Sequence, residues 1–319
     1  MQIKNYRYAT SIILKTQLQG EMIPLFDLHC DTLSKLYIEN EDFLKNNLHI
    51  SLEKASYFSP YIQIMAIWSD NRLSNEDAYV SYKNILEYSK NIQFFKHCET
   101  LFEKSFILAV EDARILNGDI NRLFTLAKDG VKILTLNWQN ISIIGGAWNT
   151  NIGLTDFGKL VVDKCLGLGI IPDISHSSIK SSEEIIEICS RYNATPIASH
   201  SNSYTICKHN RNLTDKLFKK IVKTKGLVGI SLASEHLSLG NATINDILKH
   251  IYHYLSLDGE DTVCLGCDFD GVSNLPNGIF SISDLQKLYY LFEKTFNEHI
   301  AKKIFFLNAF SFFSRQKII

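Results

Sequence analysis

Eight short β-rich runs alternate with helical patterns along this chain, and that alternation limits its fold more than any other feature. The runs are Phe26 to Cys30, Ile62 to Trp68, Phe106 to Val110 and Lys132 to Asn137, then Ile170 to Ile174, Pro196 to Ser199, Leu227 to Leu232 and Thr262 to Cys267. Most are near-continuous apolar segments, as expected of parallel strands covered on both faces. Between them, Asn75 to Phe95 is long and amphipathic. Ser181-Ser182-Glu183-Glu184 reads as a capping box opening a helix from Glu183 to Tyr192. Thr155-Asp156 and Thr214-Asp215 read as N-caps, and Ile244 to Leu257 and Ile282 to His299 complete the helical set. The pattern predicts an α/β fold, a (β/α)8 TIM barrel. An open doubly wound sheet is the rival, but no G-x-G-x-x-G follows the first run and no P-loop occurs. A chain of 319 residues suits one such barrel. With no low-complexity linker, residues 1–319 read as a single catalytic domain.

Composition excludes several functions. The chain is 45% hydrophobic and 21% charged with a net charge of -1, and its Lys and Arg are scattered, so no nucleic-acid partner is expected. No segment is apolar enough for a membrane span. Met1 to Gly20 carries only the short run Ile12-Ile13-Leu14 and no signal-peptide core, which places the chain in the cytoplasm. Seven Cys without a framework spacing fit reduced thiols. Cys264-Leu265-Gly266-Cys267 is formally a C-x-x-C, but positions i and i+3 of a strand face opposite ways, so two small buried residues are expected. The aromatic patch from Phe305 to Phe313 reads as a last helix packing on the barrel.

In a barrel the C-terminal ends of the strands form the active face. Those ends carry His29 and Asp31, Glu111, His176, His200 and Asp268. In His29-Cys30-Asp31 the two-residue strand period puts the imidazole and the carboxylate on one side. Three His and three carboxylates suit a pair of divalent metals. Glu111 has two oxygens and can bridge, one ion then taking His29 and Asp31, the other His176 and His200. Asp268 is left as the proton carrier. Each residue also has a structural reading. Asp112 competes with Glu111, Asp270 in the turn Asp270-Gly271 competes with Asp268, and His176 and His200 could each be a hydrogen-bonded core histidine. His49, His97, His209, His236, His250, His253 and His299 lie away from strand ends and read as structural.

Taken together, the motifs resemble the membrane (renal) dipeptidase family of zinc peptidases, in its bacterial, unanchored form. The resemblance rests on Phe26-Asp27-Leu28-His29-Cys30-Asp31-Thr32, Ala109-Val110-Glu111, Leu134-Thr135-Leu136-Asn137-Trp138 and Gly153-Leu154-Thr155-Asp156-Phe157-Gly158-Lys159. It continues through Ile174-Ser175-His176-Ser177-Ser178, Ala198-Ser199-His200-Ser201-Asn202, Arg211-Asn212-Leu213-Thr214-Asp215 and Gly266-Cys267-Asp268-Phe269-Asp270-Gly271-Val272. It implies two Zn²⁺ per chain on His29, Asp31, Glu111, His176 and His200, and a catalytic Asp268. It also implies an Arg211 that grips the terminal carboxylate of a dipeptide, a C-terminal D-residue included, and a homodimer.

Two positions depart from the animal enzymes. Trp138 stands where they carry a substrate-contacting His, which points to a stacking or shape role at the substrate. Their Tyr after the seventh strand has no match in Ser231-Leu232-Ala233-Ser234. The alternatives are a two-metal barrel acting on a lactone, cyclic amide or phosphoester, and a peptide-binding barrel without turnover.

Overall fold

The computed structural model describes residues 22–90, 92 and 104–319. The run Ile12-Ile13-Leu14, the end of the expected helix Asn75 to Phe95, and His97 lie outside the described residues. Seven strands form one sheet: β1 (Ile23–Cys30), β2 (Phe58–Trp68), β3 (Lys104–Glu111), β4 (Ile133–Thr135), β5 (Ile171–Asp173), β6 (Val228–Ile230) and β7 (Val263–Leu265). All neighbours are parallel, in the order β5-β4-β3-β2-β1-β7-β6.

The expected strand Pro196 to Ser199 is not among the seven. Its residues make single parallel bridges instead, Ile197 with Asp173 of β5 and Ala198 with Val228 of β6. Backbone bonds run from Ile197 N to Pro172 O (3.1 Å) on one side and from Gly229 N to Ala198 O (2.8 Å) on the other. The segment thus lies between the two edge strands without being long enough for a ladder. Here the Ser199 carbonyl presses onto β6 and the turn after β7. A Cβ at Gly229 or Gly266 would sit 1.9 or 1.8 Å from that oxygen, so both positions need glycine.

The α-helices follow between and after the strands: α1 (Thr32–Glu39), α2 (Asn75–Ser89), α3 (Ile120–Lys128), α4 (Asp156–Leu168), α5 (Ile179–Arg191), α6 (Asp215–Thr224), α7 (Ser234–Leu237), α8 (Ile244–Leu255), α9 (Leu285–Thr295), α10 (Glu298–Lys302) and α11 (Asn308–Arg315). Thr155 and Thr214 cap α4 and α6 as expected, accepting from Gly158 N and Leu217 N. α5 begins earlier than the capping-box reading. Ser178 is its N-cap, accepting from Ser181 N at 3.0 Å, and Ser181 and Ser182 are buried in the first turn. No helix among the described residues is long and apolar enough to cross a membrane.

The apolar residues separate into two clusters. An outer one packs strands against the surrounding helices and includes Leu25, Cys30, Leu108, Val110, Ile185 and Ile221. An inner one gathers Phe26, Leu28, Ile62, Ile64, Ile107, Ala109, Ile133, Ile171, Ile197 and Leu227 with Phe306, Phe310 and Phe313 from the C-terminal segment. Phe26, early in β1, stacks on Phe313 at 5.0 Å between ring centroids. The C-terminal aromatic patch therefore fills the side where the strands begin. Their C-terminal ends are left for polar residues.

Candidate active site

Strict alternation along β3 puts Leu108 and Val110 in the outer cluster and Ile107 and Ala109 in the inner one. Glu111, the last residue, continues the inner series. β1 reaches the same place by a different route. Leu25 is outer and Phe26 and Leu28 are inner, yet Cys30 is outer again. The register slips between Asp27 and Cys30, where pairing passes from Gln63 directly to Met65 of β2. That extra residue is a bulge, and bulges re-aim side chains. His29 turns to meet Glu111, with Nε2 3.2 Å from Oε2. Asp31 has already left the strand as the residue capping α1. His29 and Asp31 do come together, Nε2 to Oδ2 3.8 Å, but through a bulge and a strand exit rather than simple alternation.

Glu111 divides the cluster between its two oxygens. Oε2 faces His29, whereas Oε1 lies 2.9 Å from His176 Nε2 and 3.6 Å from His200 Nε2. The two histidine Nε2 atoms are themselves 2.8 Å apart. On the other side, Asp268 Oδ1 is 3.9 Å from His29 Nε2. Ligand atoms of His29, Asp31 and Asp268 fall within 4.8 Å of one another, and so do those of His29, Glu111 and His200. Asp268 thus stands within ligand range, a position the sequence did not assign to it.

Neighbouring groups fix these side chains. His200 Nδ1 lies 2.7 Å from Ser199 Oγ, which donates to Asp173 Oδ2. Asp173 also accepts from Thr135 Oγ1 and from the backbone N–H groups of Ser175 and Ser199. His176 Nδ1 lies 3.1 Å from the carbonyl of Trp138. Engaging Nδ1 in this way leaves Nε2 as the free donor atom, the arrangement that orients metal-binding histidines. Sequence reasoning gave Trp138 a substrate role. The structure shows its main chain against His176 and its indole 5.4 Å from Trp68. Asp173 was missed because it lies within the apolar run Ile170 to Ile174 and reaches His200 only through intervening serines, Ser199 and Ser175.

Asp268 and Asp270 share one loop but not one environment. Asp270 accepts from Thr32 Oγ1 and from His49 N, and its own N–H donates to His49 Nδ1. It is the structural carboxylate, and His49 is its clamp. His176 and Asp268 both have positive φ, 64° and 61°. Such backbone is sparsely populated outside glycine and persists where the surroundings enforce it.

Electrostatics single out the same atoms. Burial raises the Asp268 pKa well above the usual carboxylate range, and the charges of Asp31 and Glu111 push it further. Burial and Glu111 likewise raise Asp31 to about 6. For His29 burial works downward, but Glu111 and Asp31 outweigh it and hold the imidazole well above its ordinary value. Burial, then Arg211, lowers His176 to about 4. Three carboxylates crowd one point while two buried imidazoles stay neutral, a distribution that favours a cation between them. His29 Nε2 and Asp31 Oδ1 are buried and have no hydrogen-bond partner. Buried polar atoms without partners are costly, and here they fit unused metal-ligand positions.

Arg211 sits beside this cluster. Its Nη1 donates to Ser201 Oγ and its Nη2 to the carbonyl of His200, both at 3.0 Å, while Nε has no partner. It forms no ion pair with a described carboxylate, and burial lowers its pKa to about 10. The nearby carboxylates of Asp268, Glu111 and Asp173 work against that burial and favour the charged guanidinium.

A parallel α/β sheet that gathers imidazoles and carboxylates at its C-terminal strand ends defines a metal-dependent hydrolase. The sequence profile of the membrane dipeptidase family, peptidase family M19, matches residues 16–317. The fold is similar to that of the metallopeptidase dipeptidase AC of the same family, with a TM-score of 0.84 at 23% identity over 93% of this chain and 99% of that one. It is equally similar to a Rhodobacter sphaeroides metallopeptidase liganded with a phosphinate mimic of L-Ala-D-Ala, at 22% identity over 93% of this chain and all of that one. The probable dipeptidase PvdM from Pseudomonas aeruginosa shares the fold at 15% identity and a TM-score of 0.81, over 98% of this chain and all of that one. The chain belongs to the membrane dipeptidase family and is a metallo-dipeptidase.

Proposed function

We propose that this protein hydrolyses dipeptides bearing a free C-terminal carboxylate, using two divalent cations in a closed (β/α)8 barrel. The bridges made by Ile197 and Ala198 support the closure by joining β5 to β6. The observation that carries the metal assignment is the division of Glu111, one oxygen toward His29 and the other toward His176 and His200. One ion is assigned to His29, Asp31 and Glu111, the other to Glu111, His176 and His200. Imidazole and carboxylate donors suit Zn²⁺. Bound there, the cations supply an acidified water and a polarised scissile carbonyl.

The remaining work falls to the protein. Asp268 takes the proton of the attacking water and passes it to the departing amine, from a position 3.9 Å from His29 Nε2 at the edge of the cluster. The hydrogen bonds at Nδ1 hold His176 and His200 in the orientation that presents Nε2. Arg211 binds the C-terminal carboxylate and so selects length, because a longer peptide carries that charge elsewhere. A buried site with one fixed cation accepts D- or L-residues at that end as long as the carboxylate reaches it, in line with the L-Ala-D-Ala mimic bound by the Rhodobacter sphaeroides relative.

The test is turnover of L-Ala-L-Ala and L-Ala-D-Ala by zinc-loaded protein beside a lactone. Release of alanine from the dipeptides alone supports the proposal, and lactone cleavage alone transfers the site to another bond. Arg211→Ala is expected to raise KM for dipeptides by about 10- to 100-fold, the loss of charge-assisted hydrogen bonds, with a smaller change in kcat. An unchanged KM removes Arg211 from the substrate.

A further inference from the structure

Three rings beside the cluster are unused by the mechanism above. Trp148, His209 and His236 stand in file, 5.4 Å and then 4.7 Å between successive centroids. The file is tied to Arg211 at two points. Arg211 N donates to His209 Nδ1 at 3.2 Å, and the Asn212 amide donates to the carbonyl of His236 at 2.8 Å. His236 lies on α7, the short helix that follows β6. Burial first, and then the nearby charges of Arg211, His209 and His176, keep its imidazole neutral. Among the described residues nothing hydrogen-bonds to its ring nitrogens.

Among the described residues at the end of β6, the main chain of Ser231 is already occupied. Ser231 exchanges both main-chain bonds with Asn202, and its Oγ accepts from Ala233 N. A neutral imidazole has one N–H to give. Arg211 already spends two of its donors on Ser201 and His200, so a carboxylate held there has acceptor capacity left over. A second cation would place more positive charge against His176 and His200. A neutral donor satisfies the carboxylate without that repulsion.

We propose that His236 is a specificity-determining residue whose ring N–H is the second donor, beside Arg211, to the C-terminal carboxylate of the substrate. His209 acts as a positioning residue, its ring tilted against the His236 ring at 4.7 Å. This rests on the dipeptidase reading but is separable from it. A C-terminal amide turns an NH2 toward two donors, so the arrangement discriminates carboxylate from amide.

The experiment is equilibrium binding of the phosphinate mimic of L-Ala-D-Ala, and of its C-terminal amide, to zinc-loaded full-length protein. Wild type is expected to prefer the carboxylate. His236→Ala should lose about tenfold of that preference, as for one hydrogen bond to a charged group. His236→Gln keeps a neutral N–H donor and should recover most of the loss. Three results overturn the inference: wild type without the preference, His236→Ala with the preference intact, or a Gln variant no better than Ala. Absence of dipeptide turnover in wild type ends the dipeptidase reading alone, because the binding preference is read without turnover.

Discussion

Asp268→Asn is expected to lower kcat on dipeptides by about 10²–10⁴-fold while the proposed pair of metal ions stays bound; this is the largest single effect expected of a proton-carrying group. Asn keeps the volume and one carbonyl oxygen but neither accepts nor delivers the proton. The loop around it should hold, because its side-chain anchors belong to Asp270, through Thr32 and His49, and the main-chain bonds of Asp268 do not depend on its side chain. Turnover is measured by amine release and metal content by elemental analysis of the same samples. Wild-type turnover rules out the proton role. Loss of one ion together with activity makes Asp268 a ligand, which its place within 4.8 Å of His29 and Asp31 allows. The two outcomes separate the roles that geometry alone leaves adjacent.

What could be read from the sequence is what local pattern encodes. Parallel strands buried on both faces are written as apolar runs, so six of the runs from Phe26 to Cys267 that reach strand geometry were visible together with β1. Residues that end such runs are visible for the same reason, and the structure brings His29, Asp31, Glu111, His176, His200 and Asp268 into one cluster. Pairing is not local. Nothing in Pro196 to Ser199 says that it meets each neighbour through a single bridge, since that depends on Gly229 and Gly266 yielding room to Ser199. The bulge before Cys30 is a mismatch between two strands and has no signature in either. Asp173 escaped notice, and His236 read as structural, because their relations to His200 and Arg211 exist only after folding. Ser178 outcompeted Ser181 as the cap because each fits the local rule and only the packing of the preceding loop decides.

Gly271 is the clearest case of a residue that local reasoning treats as a turn and the folded site makes indispensable. Its φ is not positive, so backbone freedom is not the reason for glycine here. Space is the reason: a Cβ would lie 2.2 Å from Asp31 Oδ2 and 2.4 Å from Asp268 Oδ1. Neither neighbour can retreat easily. Asp31 N is bonded to the Phe269 carbonyl, Gly271 N to the Asp268 carbonyl, and the intervening Asp270 is clamped by His49. Gly271→Ala must therefore rotate two carboxylates out of the cluster or shift the loop that carries them. Overpacking of this kind costs about 1–3 kcal/mol of stability, which a domain of this size survives. Displacing ligand groups is more damaging, with a loss in metal affinity of at least the 10–100-fold caused by disturbing their support. The expected variant is folded, melts slightly lower, binds less metal at limiting zinc and has little activity on dipeptides. Melting, zinc titration and turnover on one preparation check all three. Full zinc occupancy with normal turnover would show that Asp31 and Asp268 can both move without consequence, and would remove them from the reacting centre together.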